Sequence, residues 1–485
     1  MSDSTPAQVT AAVDAAAGAA RAFGHPDAVP MRIEALRAVA DALDAAADEL
    51  VPIAMAESHL PEGRLRGELT RTTYQLRLFA DYLAEGSWAE VTIDSADPDW
   101  VLGAKPDLRR LLVPVGPVAV YGASNFPFAF SAAGGDTASA LAAGCPVVLK
   151  AHPGHPQLSR RTGEIVSAAL VSAGAPEGTF SVVEGLEAGK QLITEPAIKA
   201  GAFTGSIPAG RALYDAAAAR PEPIPFYGEL GSLNPVFVTE RAVKARGAEI
   251  ASGFIGSYTL GVGQFCTKPG LLFLPEGHGL LDDIVTAAEQ VEAAPMLNER
   301  VASGYAGRLG DVSAVAGVQV LVPGSTGDAP KPALAATDVP TLLANQDALL
   351  AECFGPFSLV VTYADEDQLL AAARAFEGNL TATIHGEDDD AAELAELVYA
   401  LQSRAGRLLW NGWPTGVAVT WAMQHGGPYP ATTASVHTSV GPTAIRRFLR
   451  PISYQNMPDA ALPKVLRRQG TPDVVRRVDG VLQVP

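Results

Sequence analysis

Three side chains in this sequence could together run covalent chemistry on a carbonyl. Cys266 stands in Gly-Val-Gly-Gln-Phe-Cys-Thr (261–267), a small-residue loop able to present a thiol. Glu229 sits at the centre of Phe-Tyr-Gly-Glu-Leu-Gly-Ser-Leu-Asn-Pro (226–235), and Asn125 lies in Tyr-Gly-Ala-Ser-Asn-Phe-Pro-Phe (121–128). A thiolate adds to an electrophilic carbon, an amide holds the oxyanion, and a carboxylate takes a proton from water. Each residue also has a plainer reading. A free cysteine is more often an inert buried one. Glu229 reads equally as a solvent-facing glutamate at a strand end or as a general base raised by burial. Asn125, before Phe126-Pro127, reads as a turn asparagine or an oxyanion donor.

A second group of residues suits a phosphorylated ligand. Gly205-Ser206-Ile207-Pro208-Ala209-Gly210 follows an apolar run and opens a helical one, the setting in which backbone N–H groups meet a pyrophosphate. The pattern is not the GxGxxG fingerprint. Lys150 closes a Val-Val-Leu run, where it either snorkels or reaches a ribose or phosphate. His425, in Met-Gln-His-Gly-Gly-Pro, is either structural or placed beside the thiol. Cys145 and Cys353 read as core residues, and the three cysteines have no metal-ligand spacing, so no metal site is expected.

The elements that must hold these residues follow from periodicity. Residues 7–85 read as helical, with apolar positions three and four apart at Met31, Ile33, Leu36, Val39 and Leu43. Val91-Thr92-Ile93 reads as a strand and 97–100 as a turn. Strands are expected at 117–121, 146–150, 180–183, 200–203 and 235–238, with helices at 129–143, 157–173, 186–194 and 209–219. This alternation predicts a parallel sheet covered on both faces, with ligands beyond the C-terminal strand ends. Asn125, Lys150 and Gly205 fall just past such ends. A second α/β portion is expected from about 240 to 440, an exposed loop at 324–332, and a strand after a helix within 446–455.

The chain has 485 residues, which implies two or three domains, and is 48% hydrophobic, which implies a globular protein. Its formal net charge of -18 argues against nucleic-acid and anionic-membrane partners. Sparse cysteines, no evident secretion signal after Met-Ser-Asp-Ser-Thr-Pro and no apolar run of membrane length imply a cytoplasmic protein.

In their order, these segments resemble the aldehyde dehydrogenase superfamily over nearly the whole chain. Pro114-Val115-Gly116-Pro117-Val118 leads to Asn125-Phe126-Pro127 as it does there. Residues 141–150 look like the "ALAAGNxVVxK" run. Phe203-Thr204-Gly205-Ser206 with Gly210 matches "FTGSxxxG", and Glu229-Leu230-Gly231 matches "ELGG" with Ser232 in place of the second glycine. Gly263-Gln264-Phe265-Cys266 matches "GQxC", and Glu352-Cys353-Phe354-Gly355-Pro356 matches "EIFGP". Residues 134–137, 411–417 and 425–433 look like the α-ketoglutaric semialdehyde (2,5-dioxopentanoate) dehydrogenase branch, and bacterial fatty aldehyde dehydrogenases share these segments.

The resemblance implies an α/β fold of two Rossmann-like open-sheet domains plus a small β oligomerisation arm. It implies an NAD(P)-binding domain at 1–88 and 108–230, a catalytic domain at 231–440, an arm at 89–107 and 441–485, and a homodimer or homotetramer. It implies that Cys266 forms a thiohemiacetal, that Asn125 and the Cys266 N–H hold its oxyanion, and that Glu229 activates the hydrolytic water. Glu352 and Phe354 would hold the nicotinamide end of the cofactor, Lys150 the adenosine ribose, and Gly205, Ser206 and Gly210 the pyrophosphate. NAD-preferring relatives often carry a glutamate three residues after the lysine. Pro153 stands there, so NADP is expected to be preferred, with NAD possible. Arg71, on the helix that resembles the tunnel-lining one, is expected to grip a substrate carboxylate, with Arg77 the runner-up. His425 is expected at the substrate. Two other readings stand beside this one: a catalytically silent scaffold, and an acylating enzyme that passes its thioester to coenzyme A.

Overall fold

The structure is a computed structural model that describes residues 3–468 and 474–484. The first two residues of the opening segment, and 469–473 and 485 of the expected arm, lie outside the described residues.

Four helices open the chain: α1 Pro6–Phe23, α2 Val29–Ala45, α3 Ala47–Ser58 and α4 Glu62–Glu85. Thr5 starts α1 through a capping box with Gln8, and the helix buries Val9, Val13, Ala16 and Phe23 on one face. α4 stops at Gly86, whose φ of 88° is cheap only for glycine. Strands β1 Val91–Asp94 and β2 Leu108–Pro114 follow.

Next comes an alternating run: β3 Val118–Tyr121, α5 Gly135–Ala143, β4 Val147–Lys150, α6 Pro156–Ser172, β5 Phe180–Val183, α7 Leu186–Thr194, β6 Ala200–Thr204, α8 Ile207–Ala218 and β7 Phe226–Glu229. The strands form a wholly parallel sheet in the order β5-β4-β3-β6-β7. Alternate residues feed two cores. Val118, Val120, Val147 and Leu149 pack with α2 and α4–α6, while Ala119, Tyr121 and Val148 pack with α1 and α7. The strand order reverses between β3 and β6, which opens a crevice at their C-terminal ends.

The second unit holds β8 Val236–Val238, α9 Glu240–Thr259, β9 Leu271–Pro275, α10 Leu281–Glu289, α11 Glu299–Ser313, β10 Gln319–Val322, β11 Ala333–Asp338, β12 Phe357–Tyr363, β13 Asn379–His385 and β14 Ala405–Trp410. Its sheet runs β10-β11-β12-β9-β8-β13-β14, parallel except for β10 at the edge. The 324–332 segment is a loop, as expected. β15 Leu449–Gln455, β16 Arg476–Val478 and β17 Val481–Gln483 complete the third sheet, β15-β2-β1-β16-β17. β2 belongs to this sheet, so its strands come from both sides of residue 107.

Two short crossings between the first two sheets bring the chemistry together. The chain passes from β7 to β8 through Glu229. The segment after β14 returns to the first sheet, where Thr432 bridges Glu229 and Ala431 accepts the Leu230 N–H at 2.7 Å.

Candidate active site

The thiol loop follows α9. Gly261, Val262 and Gly263 take successive φ values of 55°, 60° and 65°. A β-branched residue such as Val262 rarely occupies that region. At Gly263 a Cβ would lie 2.1 Å from the carbonyl oxygen of Gly355, so only glycine lets the two loops touch. Asn234 Nδ2 donates to the carbonyls of Cys266 and Lys268, both at 2.9 Å. Ser232, the departure from the family glycine, donates to Asn234 Oδ1 at 2.8 Å and accepts the Leu380 N–H at 2.9 Å. Lys268 is buried, and its Nζ donates to the carbonyls of Cys353 and Phe357 at 2.8 and 2.7 Å.

Cys266 Sγ lies 3.6 Å from His425 Nε2, and the same nitrogen lies 2.9 Å from Glu229 Oε1. The carboxylate contact is short, so Nε2 faces both the sulfur and Oε1, and no other donor reaches Oε1. Oε2 accepts from the Ser439 hydroxyl. His425 and Glu229 are 1% and 3% exposed, and Cys266 beside them is half-buried. Burial pushes the Glu229 carboxyl up, but the field and hydrogen bonds of His425 and Ser439, with Arg447 behind, outweigh it and hold it below the ordinary range. Burial, then Glu229 and Glu352, pushes the Cys266 thiol well above its usual value; Arg71 works the other way. The resting sulfur is therefore a thiol, and a base must take its proton as it attacks.

Asn125 is buried, and its Nδ2 donates to the Gln264 carbonyl at 3.1 Å, beside the thiol. The amide carries a second hydrogen for an oxyanion. Two residues of α4 hold its loop. Arg64 Nη2 donates to the Asn125 carbonyl at 2.6 Å, and its guanidinium lies 5.0 and 4.7 Å from the ring centroids of Phe126 and Phe265. Glu68 Oε1 accepts the N–H groups of Phe128 and Ala129 at 2.7 and 3.0 Å. Burial pushes Glu68 up to about 7, against those N–H groups and the charges of Arg64 and Arg71.

Arg71, one turn on, lies 5.2 Å over the Phe130 ring, faces the charges of Glu68, Cys266 and Glu229, and makes no ion pair among the described residues. Arg77 points away, paired with Asp41 and Asp44 at 2.6 and 2.7 Å. Behind Glu229, Arg447 Nη1 is 2.6 Å from Asp136 Oδ1, a buried ion pair beside the cavity lined by Glu229, His425 and Ser439.

The cofactor candidates fall into two places. Gly205 and Ser206 are exposed at the start of α8, and the Ser206 side chain makes no capping bond, so the helix N-terminus is free to face an anion. Lys150 ends β4 across the crevice, packed beside Gly189. Gly210 is buried; a Cβ there would lie 2.1 Å from Leu230, so this glycine serves helix-to-strand packing and leaves the open face to Gly205 and Ser206. Glu352, whose charge acts on the Cys266 thiol, and Phe354 are half-buried. Burial pushes the Glu352 carboxyl up to about 7, against Lys268 and the Ser232 backbone, and a Cβ on Gly231 would come within 2.7 Å of it. Lys150 also feels Arg300 of α11, a cation that sequence reasoning missed, as does His152; Asp3 acts in the opposite sense on Lys150.

Sequence reasoning missed Arg64, Glu68, Asn234, Lys268 and Ser439 as well. Arg64, Glu68 and Arg71 fall at helical spacing on one face of α4, a charged stripe next to a buried one, and that signal was available in the sequence.

Known proteins are similar to this chain over most of its length. The chain is 45% identical over 454 residues to alpha-ketoglutaric semialdehyde dehydrogenase 2 of Azospirillum brasilense, covering 92% of this chain and 86% of that one. It is 42% identical over 464 residues to alpha-ketoglutaric semialdehyde dehydrogenase of Acinetobacter baylyi, covering 93% and 87%. Among solved structures, aldehyde dehydrogenase 21 from Physcomitrella patens in complex with the reaction product succinate has a TM-score of 0.77 at 23% identity, covering 94% of this chain and 92% of that one. At that identity the likeness speaks for the fold. The model of the aldehyde dehydrogenase family matches residues 1–449, and with the thiol, carboxylate and amide converging as described, this chain belongs to that family.

Proposed function

We propose that this chain oxidises 2,5-dioxopentanoate (α-ketoglutaric semialdehyde) to 2-oxoglutarate with NAD(P)⁺. The convergence of Cys266, Glu229 and Asn125 in one cluster carries the chemistry. The names of the two relatives and the uncommitted Arg71 guanidinium facing the thiol support the substrate.

The residues described above can each be given a task. His425 Nε2, 3.6 Å from sulfur, is the group placed to receive the thiol proton, with the Glu229 carboxylate beside it to stabilise the imidazolium. Sulfur then bonds to the aldehyde carbon, and the new oxyanion takes the free Asn125 N–H and the Cys266 backbone N–H. When bound, the nicotinamide supplies the hydride acceptor that leaves a thioester on Cys266. Glu229 then accepts a proton from the water that attacks the thioester carbon. The carbon–sulfur bond breaks, the leaving sulfur takes back the proton held at His425, and a carboxylate is released. Ser439 fixes the Glu229 carboxylate through Oε2, leaving Oε1 for that water.

Residues fit for the cofactor are present. The Ser206 end of α8 suits the pyrophosphate, Lys150 the adenosine ribose, and Glu352, whose carboxylate has no side-chain hydrogen bond among the described residues, a ribose diol. Pro153 in place of a carboxylate, and Arg300 beside Lys150 and His152, support a preference for NADP⁺ over NAD⁺.

We read the third sheet as the place where copies meet in a dimer or tetramer. The exposed Val101 and Leu102 at the tip after β1 support this. Among the described residues no helix is long and apolar enough to cross a membrane.

The test is NAD(P)H formation with 2,5-dioxopentanoate, glutarate semialdehyde and long-chain aldehydes, run beside a folded Cys266→Ala protein. The expected result is the highest kcat/KM for 2,5-dioxopentanoate and no turnover in the variant. Near-normal turnover without the thiol ends the covalent reading; a preference for long-chain aldehydes ends the substrate assignment.

A further inference from the structure

The residues that would carry the oxidation also make a set of metal ligands. The donor atoms of Cys266, His425 and Glu229 all lie within 4.8 Å of one another. Sulfur, imidazole nitrogen and carboxylate oxygen are the donors that zinc takes from proteins. The chain order hides the set, because folding alone brings the three segments together.

One edge of the set already has the length a tetrahedral ion needs. Zn–S of about 2.3 Å and Zn–N of about 2.0 Å put sulfur and nitrogen about 3.6 Å apart. Cys266 Sγ and His425 Nε2 are 3.6 Å apart. The same geometry puts nitrogen and oxygen about 3.3 Å apart, and Glu229 Oε1 is 2.9 Å from Nε2. The third edge, sulfur to Oε1, lies within 4.8 Å, against about 3.6 Å in that geometry, so the carboxylate must swing toward the sulfur for all three to ligate. Oε1 is also the atom with lone pairs to give: Glu229 is 3% exposed, Oε2 is taken by Ser439, and only His425 Nε2, itself a ligand of the set, approaches Oε1. A thiolate and a carboxylate bring two negative charges, which cancel those of a divalent cation in a buried place. Glu352 adds to the negative field at the sulfur, while Arg71 and Arg407 oppose it.

We propose that Cys266, His425 and Glu229 form an inhibitory site for a thiophilic divalent cation, with Zn²⁺ as the type case and water in the fourth position. On binding, the S–H bond breaks, the Zn–S bond forms and the proton passes to solvent, with no change of oxidation state. The nucleophile is capped and the base occupied. Only the inhibitory consequence rests on the oxidation proposed above; binding is measured without aldehyde.

The test uses the full chain, stripped with a chelator and dialysed against Zn²⁺. Bound zinc is measured, and the same samples are alkylated with iodoacetamide. The expected result is one zinc per chain, with alkylation of Cys266 slowed about tenfold or more and restored by chelator. His425→Gln should weaken binding by at least the 10- to 100-fold that loss of even an outer partner costs a metal site. If Cys266 is alkylated at an unchanged rate under saturating zinc, the site is overturned in the unsubstituted protein, whatever the variants do. Equal zinc affinity in Cys266→Ser overturns it too. Zinc binding without any aldehyde oxidation would leave the site standing and remove the oxidation reading; oxidation that zinc does not affect would do the reverse.

Discussion

Replacing Glu68 by glutamine should stabilise the protein at alkaline pH and change little near pH 5. The carboxyl is buried, and its value is pushed from 4.5 to about 7. A carboxyl raised in the fold keeps its proton there after the unfolded chain has lost it. Its stability contribution is therefore complete below 4.5, falls as pH rises, and is lost above about 7. A gap of roughly 2.5 pH, at 1.36 kcal/mol for each, gives ~3 kcal/mol in total and ~2 kcal/mol between pH 5.5 and 8. Glutamine keeps an oxygen for the Phe128 and Ala129 N–H groups and removes the charge. At roughly 2.1 cal/mol/K per residue, a chain of this length melting as one unit shifts by ~2 °C for ~2 kcal/mol, and by more if the first domain melts alone. The assay is scanning calorimetry of both proteins at one scan rate from pH 5.5 to 8. Glu352, also near 7, and His152 and His385, which burial depresses to about 3 and 4, act equally on both proteins and cancel in the difference. The midpoints should diverge in the variant's favour as pH rises. Parallel curves would mean that Glu68 is ionised in the fold at little cost, and the argument from burial would be wrong.

Glu229→Gln should leave a stoichiometric burst of NAD(P)H followed by slow turnover, because hydride leaves before water attacks; unchanged steady-state turnover in stopped flow would remove Glu229 as the base. Arg71→Ala should raise KM for 2,5-dioxopentanoate by roughly 10- to 150-fold, the loss expected for a hydrogen bond to a charged group, and spare uncharged aldehydes; equal effects on both classes would place Arg71 outside substrate recognition. Arg300→Ala should lower kcat/KM with NADP⁺ and leave NAD⁺ nearly untouched, and a kcat/KM for NAD⁺ already tenfold above that for NADP⁺ in the parent enzyme would refute the preference itself.

The first sheet was largely legible in the sequence because its signals are local. The strands expected at 146–150, 180–183 and 200–203 appear as Val147–Lys150, Phe180–Val183 and Ala200–Thr204, each an apolar run between turns. The strand Phe226–Glu229 was not among those expected, since Gly228 and the proline-rich stretch before it weaken the local pattern, and pairing with β6 supplies what propensity does not. The helix expected at 129–143 begins only at Gly135, because 126–134 folds as turns held by Glu68. For the site, sequence named the thiol, the carboxylate and the amide, and left His425 open between structural histidine and thiol partner. It could not place His425 on the sulfur, since 159 residues separate the two. Arg300 was invisible for the same reason: only docking of α11 against the crevice brings it to Lys150.

The late return of residues 425–439 also sets a schedule for synthesis. Glu229 and Cys266 leave the ribosome long before His425, Ala431, Thr433 and Ser439, which contact the 228–230 segment and the thiol. Domains generally fold as they emerge, N-terminal first, so the first sheet can close while its last strand still lacks these partners. A nascent chain therefore carries its nucleophile without the imidazole that will sit on it and its carboxylate without the hydroxyl that will fix it. Chemistry is switched on by the last fifth of the polypeptide, which also brings Ile445, Phe448 and Leu466 into the first core.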